Sequence, residues 1–272
     1  MSIALDIGKF NIKLVELEKV NESIKVINLK TINIVDDLDT YDIDKLSKSQ
    51  ISASIQDLTN NLNIKTKKVK NLITSLSGSD VDTRQVSILD MPDNELLQAL
   101  ELEAKKHVPL DGTEAIIDYH HIGKDLHELD KINLLLTTTT KNKIKDHADI
   151  LKNAGFKPGI FDSDPIALCN LLQFSYELPE TGANVILDIG HSSTTLVVFG
   201  NNITYFSREI EIAGNQISQS LIRSNKITYG EAENKKHEKG IAIFEKANEE
   251  SEQAISVEQR TVLNDLVDEV RK

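Results

Sequence analysis

IALDIGKFNIKLVEL (Ile3–Leu17) and VILDIGHSSTTLVVF (Val185–Phe199) decide the fold of this 272-residue chain. Aligned without a gap they share six of fifteen positions: Leu5/Leu187, Asp6/Asp188, Ile7/Ile189, Gly8/Gly190, Leu14/Leu196 and Val15/Val197. Each alternates apolar and polar residues, the period of a half-buried strand, and each breaks at D-x-G. That reads as strand, turn, strand, twice over. Glycine at such a turn lets a ligand approach the backbone closely and leaves turn N–H groups to cradle phosphate oxygens. The aspartate cannot bind a phosphate itself. It can hold the hydrated Mg²⁺ that accompanies one, because Mg²⁺ keeps several waters and takes few protein ligands. Two such turns facing one another would clamp a nucleoside triphosphate between two domains. A common hairpin turn explains a single D-x-G copy; it is the matched pair that points to a shared ligand.

Outward from the first copy, Ser23 to Ile34 continues the alternation and completes a β-meander. Leu46, Ile51, Ile55, Leu58 and Leu62 then fall on one face of a predicted helix over 45–62. A strand is predicted at 69–76, broken by Ser77–Gly78–Ser79. From Thr83 to Phe161 the predicted order is strand, helix, strand, strand, helix, strand, a compact α+β unit of its own. Its first helix is expected to start at Asp93 as N-cap and to run to His107, before Pro109; its second, 141–154, ends at Gly155. A helix over 165–176 and a Pro179–Gly182 break lead to the second meander, and helices over 214–224, 230–239 and 257–271 close the chain. The pattern predicts a duplicated α/β fold with a module inserted in its first copy.

Composition removes other classes. Thirty-one Lys and Arg against 43 Asp and Glu give a net charge of −12 and a pI near 5.1, which argues against a nucleic-acid surface built of clustered cations. The run Lys65–Lys70 reads as a solvated loop. The lone Cys169 cannot form an internal disulfide, so the chain reads as a protein of a reducing compartment with a structural, core cysteine. MSIALDIG has no basic n-region, and nowhere do eighteen apolar residues run together, which points to the cytoplasm with no direct membrane insertion. His120, His121 and His127 have no Cys or carboxylate spacing that would make a metal site.

LDIG with Lys13 seven residues after Asp6 resembles the phosphate-1 hairpin of the actin, heat-shock chaperone and sugar kinase superfamily, and LDIGHSSTTLVVF its phosphate-2 hairpin. Nearly the whole chain resembles the PilM family of type IV pilus assembly. Besides the two hairpins, the stretches SLSGSDVDTRQVSILDMPDNELLQALELEAKKHVPL, NAGFKPGIFDSDPIALCNL, SREIEIAGNQISQSL and YGEAENKKHEKG carry that judgement. The resemblance implies an actin-like (ribonuclease H-like) α/β fold of duplicated domains with an inserted α+β subdomain, 1C. Its parts would be 1–82 with 162–182 (1A), 83–161 (1C) and 183–272 (a second domain, 2A/2B). Because the chain ends at Lys272, before the family's closing strand and Gly-Gly turn, that second domain is expected to be C-terminally truncated and the nucleotide site incomplete.

For the site, the resemblance implies ATP with Mg²⁺: Asp6 and Asp188 would hold the ion through water, and Gly8, Gly190, Ser192 and Ser193 would contact phosphates. Lys13 would balance phosphate charge. The Ala213–Gly214–Asn215 turn would aim the N–H groups of a helix start at the nucleotide, and Glu233 with Lys236, on one helical face, would meet the adenosine. Asp6 and Lys13 also read as a strand-end carboxylate and a solvated strand lysine, and Glu233 with Lys236 as a surface ion pair. Lys9, Phe10 and Asn11 stand where the family has small hydroxyl residues, with Lys9 able to reach a phosphate instead; Ala213 replaces a glycine. The implied activity is that of a nucleotide-binding scaffold, at most a weak ATPase. The implied partner is the N-terminal tail of a PilN-like inner-membrane protein, docked between 1A and 1C, with pilus motor ATPases as further partners and a place peripheral to the inner membrane. The alternatives are an actin-fold phosphotransferase such as a sugar kinase, with Asp80 or Asp82 as base, and an FtsA-like division protein.

Overall fold

Alternation in the first copy places Ile3, Leu5, Ile12 and Leu14 on one face, each at most 2% exposed, and pairs β1 (Ser2–Ile7) antiparallel with β2 (Asn11–Val20). The structure, a computed structural model, describes residues 2–78, 80–106, 114–125, 127–239 and 257–272. In the second copy β9 (Asn184–Ile189) pairs antiparallel with β10 (Thr194–Gly200) in the same register: Leu187 faces Leu196 as Leu5 faces Leu14, and Asp188 faces Thr195 as Asp6 faces Lys13. The duplication seen in sequence is therefore a duplication of hydrogen-bonded geometry.

The first hairpin belongs to a five-stranded sheet in the order β3-β2-β1-β4-β8, with β3 at Ser23–Asn33, β4 at Leu72–Leu76 and β8 at Ile160–Ser163. One face is covered by α1 (Lys48–Asn61) and α3 (Lys141–Asn153), whose Ile55, Leu58, Ile150 and Leu151 share a core with Ile3, Leu5, Ile12 and Leu14. Ser47 and Gln50 close a capping box that fixes where α1 begins. Gly155 takes φ +89° after α3, as a left-handed cap requires.

Between β4 and α3 lies a second sheet, β5 (Asp82–Leu89), β7 (Lys131–Thr140) and β6 (Ala115–Lys124) in that spatial order, with α2 (Asp93–Ala104) packed on it. Leu96 and Leu100 of α2 and Ile132, Leu134 and Leu136 of β7 form a core of their own. Two expectations change here. Pro92, not Asp93, is the N-cap; Asp93 is the first helical residue, where its carboxylate still faces the positive end of the helix. The predicted end of this helix, from His107 to Pro109, lies outside the described residues. In addition, α3 and β8, which pattern alone groups with the insert, join the core and sheet of the first lobe.

The chain continues through α4 (Asp164–Ser175) to the three-stranded sheet β11-β10-β9, with β11 at Ile203–Ile210, and then to α5 (Gly214–Asn225), α6 (Tyr229–Lys239) and α7 (Val257–Arg271). Leu266 of α7 packs on Leu196 and Ile210. Cys169 of α4 is buried against Val197 and Phe199, and that burial pushes its thiol up to about 11, which keeps it an unreactive core residue. Among the described residues, no helix is long and apolar enough to cross a membrane.

Candidate functional site

The two turns are built alike. Gly8 N–H donates to Asn11 O at 3.1 Å and Gly190 N–H to Ser193 O at 3.0 Å. A Cβ on either glycine would stand 2.9 Å from that same carbonyl oxygen, so the tight closure itself demands glycine. The N–H groups of the two glycines are thus engaged within their own turns. The start of α5 differs from expectation in a similar way: Gly214 N–H donates to Gly190 O (3.1 Å) and Asn215 N–H to His191 O (2.7 Å). These donors dock the helix onto the second turn instead of pointing at a ligand.

All eleven residues singled out from sequence line one cleft of about 810 Å³ between the lobes: Asp6, Gly8, Lys9, Lys13, Asp188, Gly190, Ser192, Ser193, Gly214, Glu233 and Lys236. The volume lies within the range of small-molecule and cofactor pockets. Lys13 Nζ lies 2.7 Å from Asp6 Oδ2, both side chains about half exposed, because the hairpin register sets them opposite one another. Burial alone would lower the Lys13 pKa; the Asp6 hydrogen bond and the charges of Asp6, Asp188 and Asp164 outweigh it and raise the value.

Asp164 was not singled out from sequence. It is the first residue of α4, lines the cleft, and has its carboxyl pushed up to about 6 by burial, opposed by a hydrogen bond with Ser75 and reinforced by the charges of Asp6, Asp188 and Glu209. In S-D-P its carboxylate reads as an ordinary helix-start acid, which is how it escaped notice. Glu209 of β11 also lines the cleft, with one carboxylate oxygen buried and without a hydrogen-bond partner among the described residues.

Glu233 and Lys236 form an ion pair, but not a surface one. Glu233 is 3% exposed, and Lys236 Nζ donates to its Oε1 at 2.7 Å, to Ser218 Oγ at 2.9 Å and to Gly214 O at 3.3 Å. Ser218 also donates to Glu233. Burial raises the Glu233 pKa, yet the bonds from Lys236 and Ser218 prevail and leave it lowered. The site thus combines Asp6, Asp164 and Asp188 with the cations Lys9, Lys13 and Lys236 and the hydroxyls of Ser192 and Ser193. Carboxylates alone would repel a polyphosphate. Carboxylates together with cations suit a polyphosphate that arrives with its divalent ion.

Two lobes that carry the same hairpin and face each other across a cleft lined by both turns define an actin-like protein. The family model of the type IV pilus assembly protein PilM matches residues 4–247, and the chain belongs to that family. A solved PilM-PilN type IV pilus biogenesis complex shares the fold, with a TM-score of 0.79 at 22% identity over 99% of this chain and 75% of that one. Similarity extends to the ethanolamine utilization protein EutJ from Carboxydothermus hydrogenoformans, with a TM-score of 0.49 at 12% identity over 99% of this chain and 68% of that one. MreB 5 of Spiroplasma citri bound to AMPPNP has a TM-score of 0.45 at 15% identity over 99% of this chain and 75% of that one.

Proposed function

We propose that this type IV pilus assembly protein is a scaffold that binds ATP with Mg²⁺ in the cleft and recruits the cytoplasmic tail of a PilN-like inner-membrane protein. The observation that carries the nucleotide reading is the pair of matched turns, with Asp6 and Asp188 in equivalent registers, on the two walls of one cleft. Asp6 and Asp188 would hold the hydrated ion, with Asp164 facing the same space. Gly8 and Gly190 would admit the phosphates close to the backbone. Lys9, Lys13, Ser192 and Ser193 would bind them, and Gly214, Glu233 and Lys236 would line the nucleoside side. The ion would neutralise phosphate charge among the carboxylates.

Family membership and the fold shared with a PilM-PilN complex support the partner. By packing, the insert is best bounded at 82–140, and the tail would dock between it and the first lobe, an extended segment lying beside strands. Such a scaffold would sit in the cytoplasm and reach the inner membrane through its partner. A sugar kinase reading is disfavoured by its base: Asp80 is paired with Lys143 at 2.5 Å, Asp82 is held twice by Arg84 at 2.6 Å, and neither lines the cleft.

Two measurements test the proposal. Mg·ATP is expected to protect the protein from limited proteolysis, Asp188→Ala to abolish that protection, and Lys67→Ala, in the 3₁₀ turn Thr66–Lys68 after α1, to retain it. Equal protection in both variants would refute the assignment of the ion. A PilN-like tail peptide is expected to retain the protein in a pull-down, more strongly with ATP, and no retention in either state would refute the partner.

A further inference from the structure

Four rings meet where the two lobes touch. Phe10, from the first turn, stacks on His191, from the second, with centroids 4.6 Å apart and planes 16° from parallel. Tyr41, between two short 3₁₀ turns (Leu38–Thr40 and Ile43–Lys45) that follow β3, stands edge-on to both at 5.2 and 5.3 Å. Tyr229, at the start of α6, lies 5.1 Å from Tyr41 and 6.5 Å from Phe10. Four of these five contacts, all but Phe10–Tyr41, cross from lobe to lobe. Polar bonds tie the cluster down on both sides. Tyr41 Oη donates to Lys9 O at 3.0 Å, which anchors it to the first turn. Tyr229 Oη lies 3.3 Å from His191 Nε2, which anchors it to the second. Gly230 N–H crosses the gap to Asp39 Oδ1 at 2.9 Å.

We propose that Phe10, Tyr41, His191 and Tyr229 form a latch that holds the lobes together when the cleft is empty, so that a ligand enters and leaves only when the latch opens. Three features favour a latch over general packing. The rings sit on the two turns and on the elements directly behind them, outside the apolar clusters of either lobe. Phe10 and His191 form part of the cleft wall, so separating them widens the opening. Edge-on and stacked aromatic contacts are short-ranged and directional, and therefore break over a small rotation of one lobe against the other. Closure is then a property of this chain's own side chains, and a ligand stabilises an arrangement that already exists. The proposal goes beyond the nucleotide reading and does not depend on it.

The test is hydrogen exchange without nucleotide, and the Gly230 amide is its reporter, because its acceptor belongs to the other lobe. The Gly8 amide, bonded within its own turn, is the control. In the parent protein both are expected to be protected. Phe10→Ala removes two lobe-to-lobe contacts and should speed Gly230 exchange roughly tenfold, leaving Gly8 unchanged. Tyr41→Ala, which also loses two such contacts, guards against a folding defect peculiar to the first turn and should do the same. Unchanged Gly230 exchange in both variants overturns the proposal, as does equal loss at Gly8 and Gly230, which would mean a collapsed turn and not an opened lobe. With a fluescent-labelled ATP analogue and Mg²⁺, the dissociation rate should rise by a similar factor in both variants. An analogue that binds neither variant nor parent would refute the nucleotide reading and leave the exchange result standing as the test of the latch.

Discussion

Asp164→Asn probes the electrostatics of the cleft without touching either turn. Burial, reinforced by the charges of Asp6, Asp188 and Glu209, pushes the Asp164 carboxyl up to about 6 in the folded chain, from 3.8 for the ordinary group. At about 1.4 kcal/mol per pKa unit the difference corresponds to about 3 kcal/mol, reduced to about 2 because solvent reaches part of the group. Its sign follows from proton counting. Between pH 4 and 6 the folded chain holds the proton more tightly than the unfolded chain, so stability is highest below the unfolded value and is lost as pH rises through the folded one. Asparagine carries no charge and escapes that loss. Urea unfolding at intervals from pH 4 to pH 8, in the absence of divalent ions, should therefore show parent and variant nearly equal at pH 4. The variant should then be the more stable by about 2 kcal/mol at pH 7.5. Stability curves that run parallel across the whole range would refute the assignment of Asp164 as a buried carboxyl crowded by Asp6 and Asp188.

Two further outcomes are expected. Lys236→Met leaves Glu233 buried without its cation, with Ser218 and Tyr229 as hydrogen-bond partners, and should destabilise the fold by about 2–4 kcal/mol at neutral pH. Because the Glu233 pKa is lowered in the fold, that loss should shrink as urea unfolding is repeated at decreasing pH below about 4.5, and Glu233→Gln in the same chain should recover part of it. Leu134→Ala in the core of the inserted sheet should cost about 2–5 kcal/mol locally. Hydrogen exchange in 82–89 and 131–140 should accelerate, with 72–76 unaffected, whereas uniform acceleration would mean that the insert shares one cooperative core with its host.

The hairpins were legible because period-two burial is a local code: once Leu5 and Leu14 must face the same way, Asp6 and Lys13 are placed opposite each other as well. The cleft was legible for a related reason, since the repeat assigns equivalent roles to residues far apart in the chain. What escaped depends on three-dimensional neighbours. Asp164 opens a helix, as acids often do, and nothing in S-D-P reports the two aspartates across the cleft. Glu233 and Lys236 show their shared face through their spacing, but not their burial, because the shielding comes from Ser218 and the Gly214 turn. The start of α5 carries the glycine of an anion-binding helix end, yet its first N–H groups meet the carbonyls of the second turn. Pattern grouped α3 and β8 with the strands before them, whereas their apolar faces complete the first lobe's core.

The inserted sheet leaves and rejoins its host through a narrow neck. Thr139 Oγ1 donates to Asp80 O at 2.6 Å, Lys143 Nζ pairs with Asp80 Oδ1 at 2.5 Å, and Asp82 lies opposite Thr138 in the ladder. With α3 outside that neck, β4, α3 and β8 already make a complete strand–helix–strand crossover. The first lobe's sheet therefore takes no strand from the module, which instead bonds the second lobe: Tyr205 N–H donates to Gln85 Oε1 and Ser207 Oγ to Thr83 O, both at 2.8 Å. A segment whose ends coincide adds little closure entropy whatever its length. Lineages could therefore enlarge the module at the end away from β11 without re-registering a single strand of the first lobe.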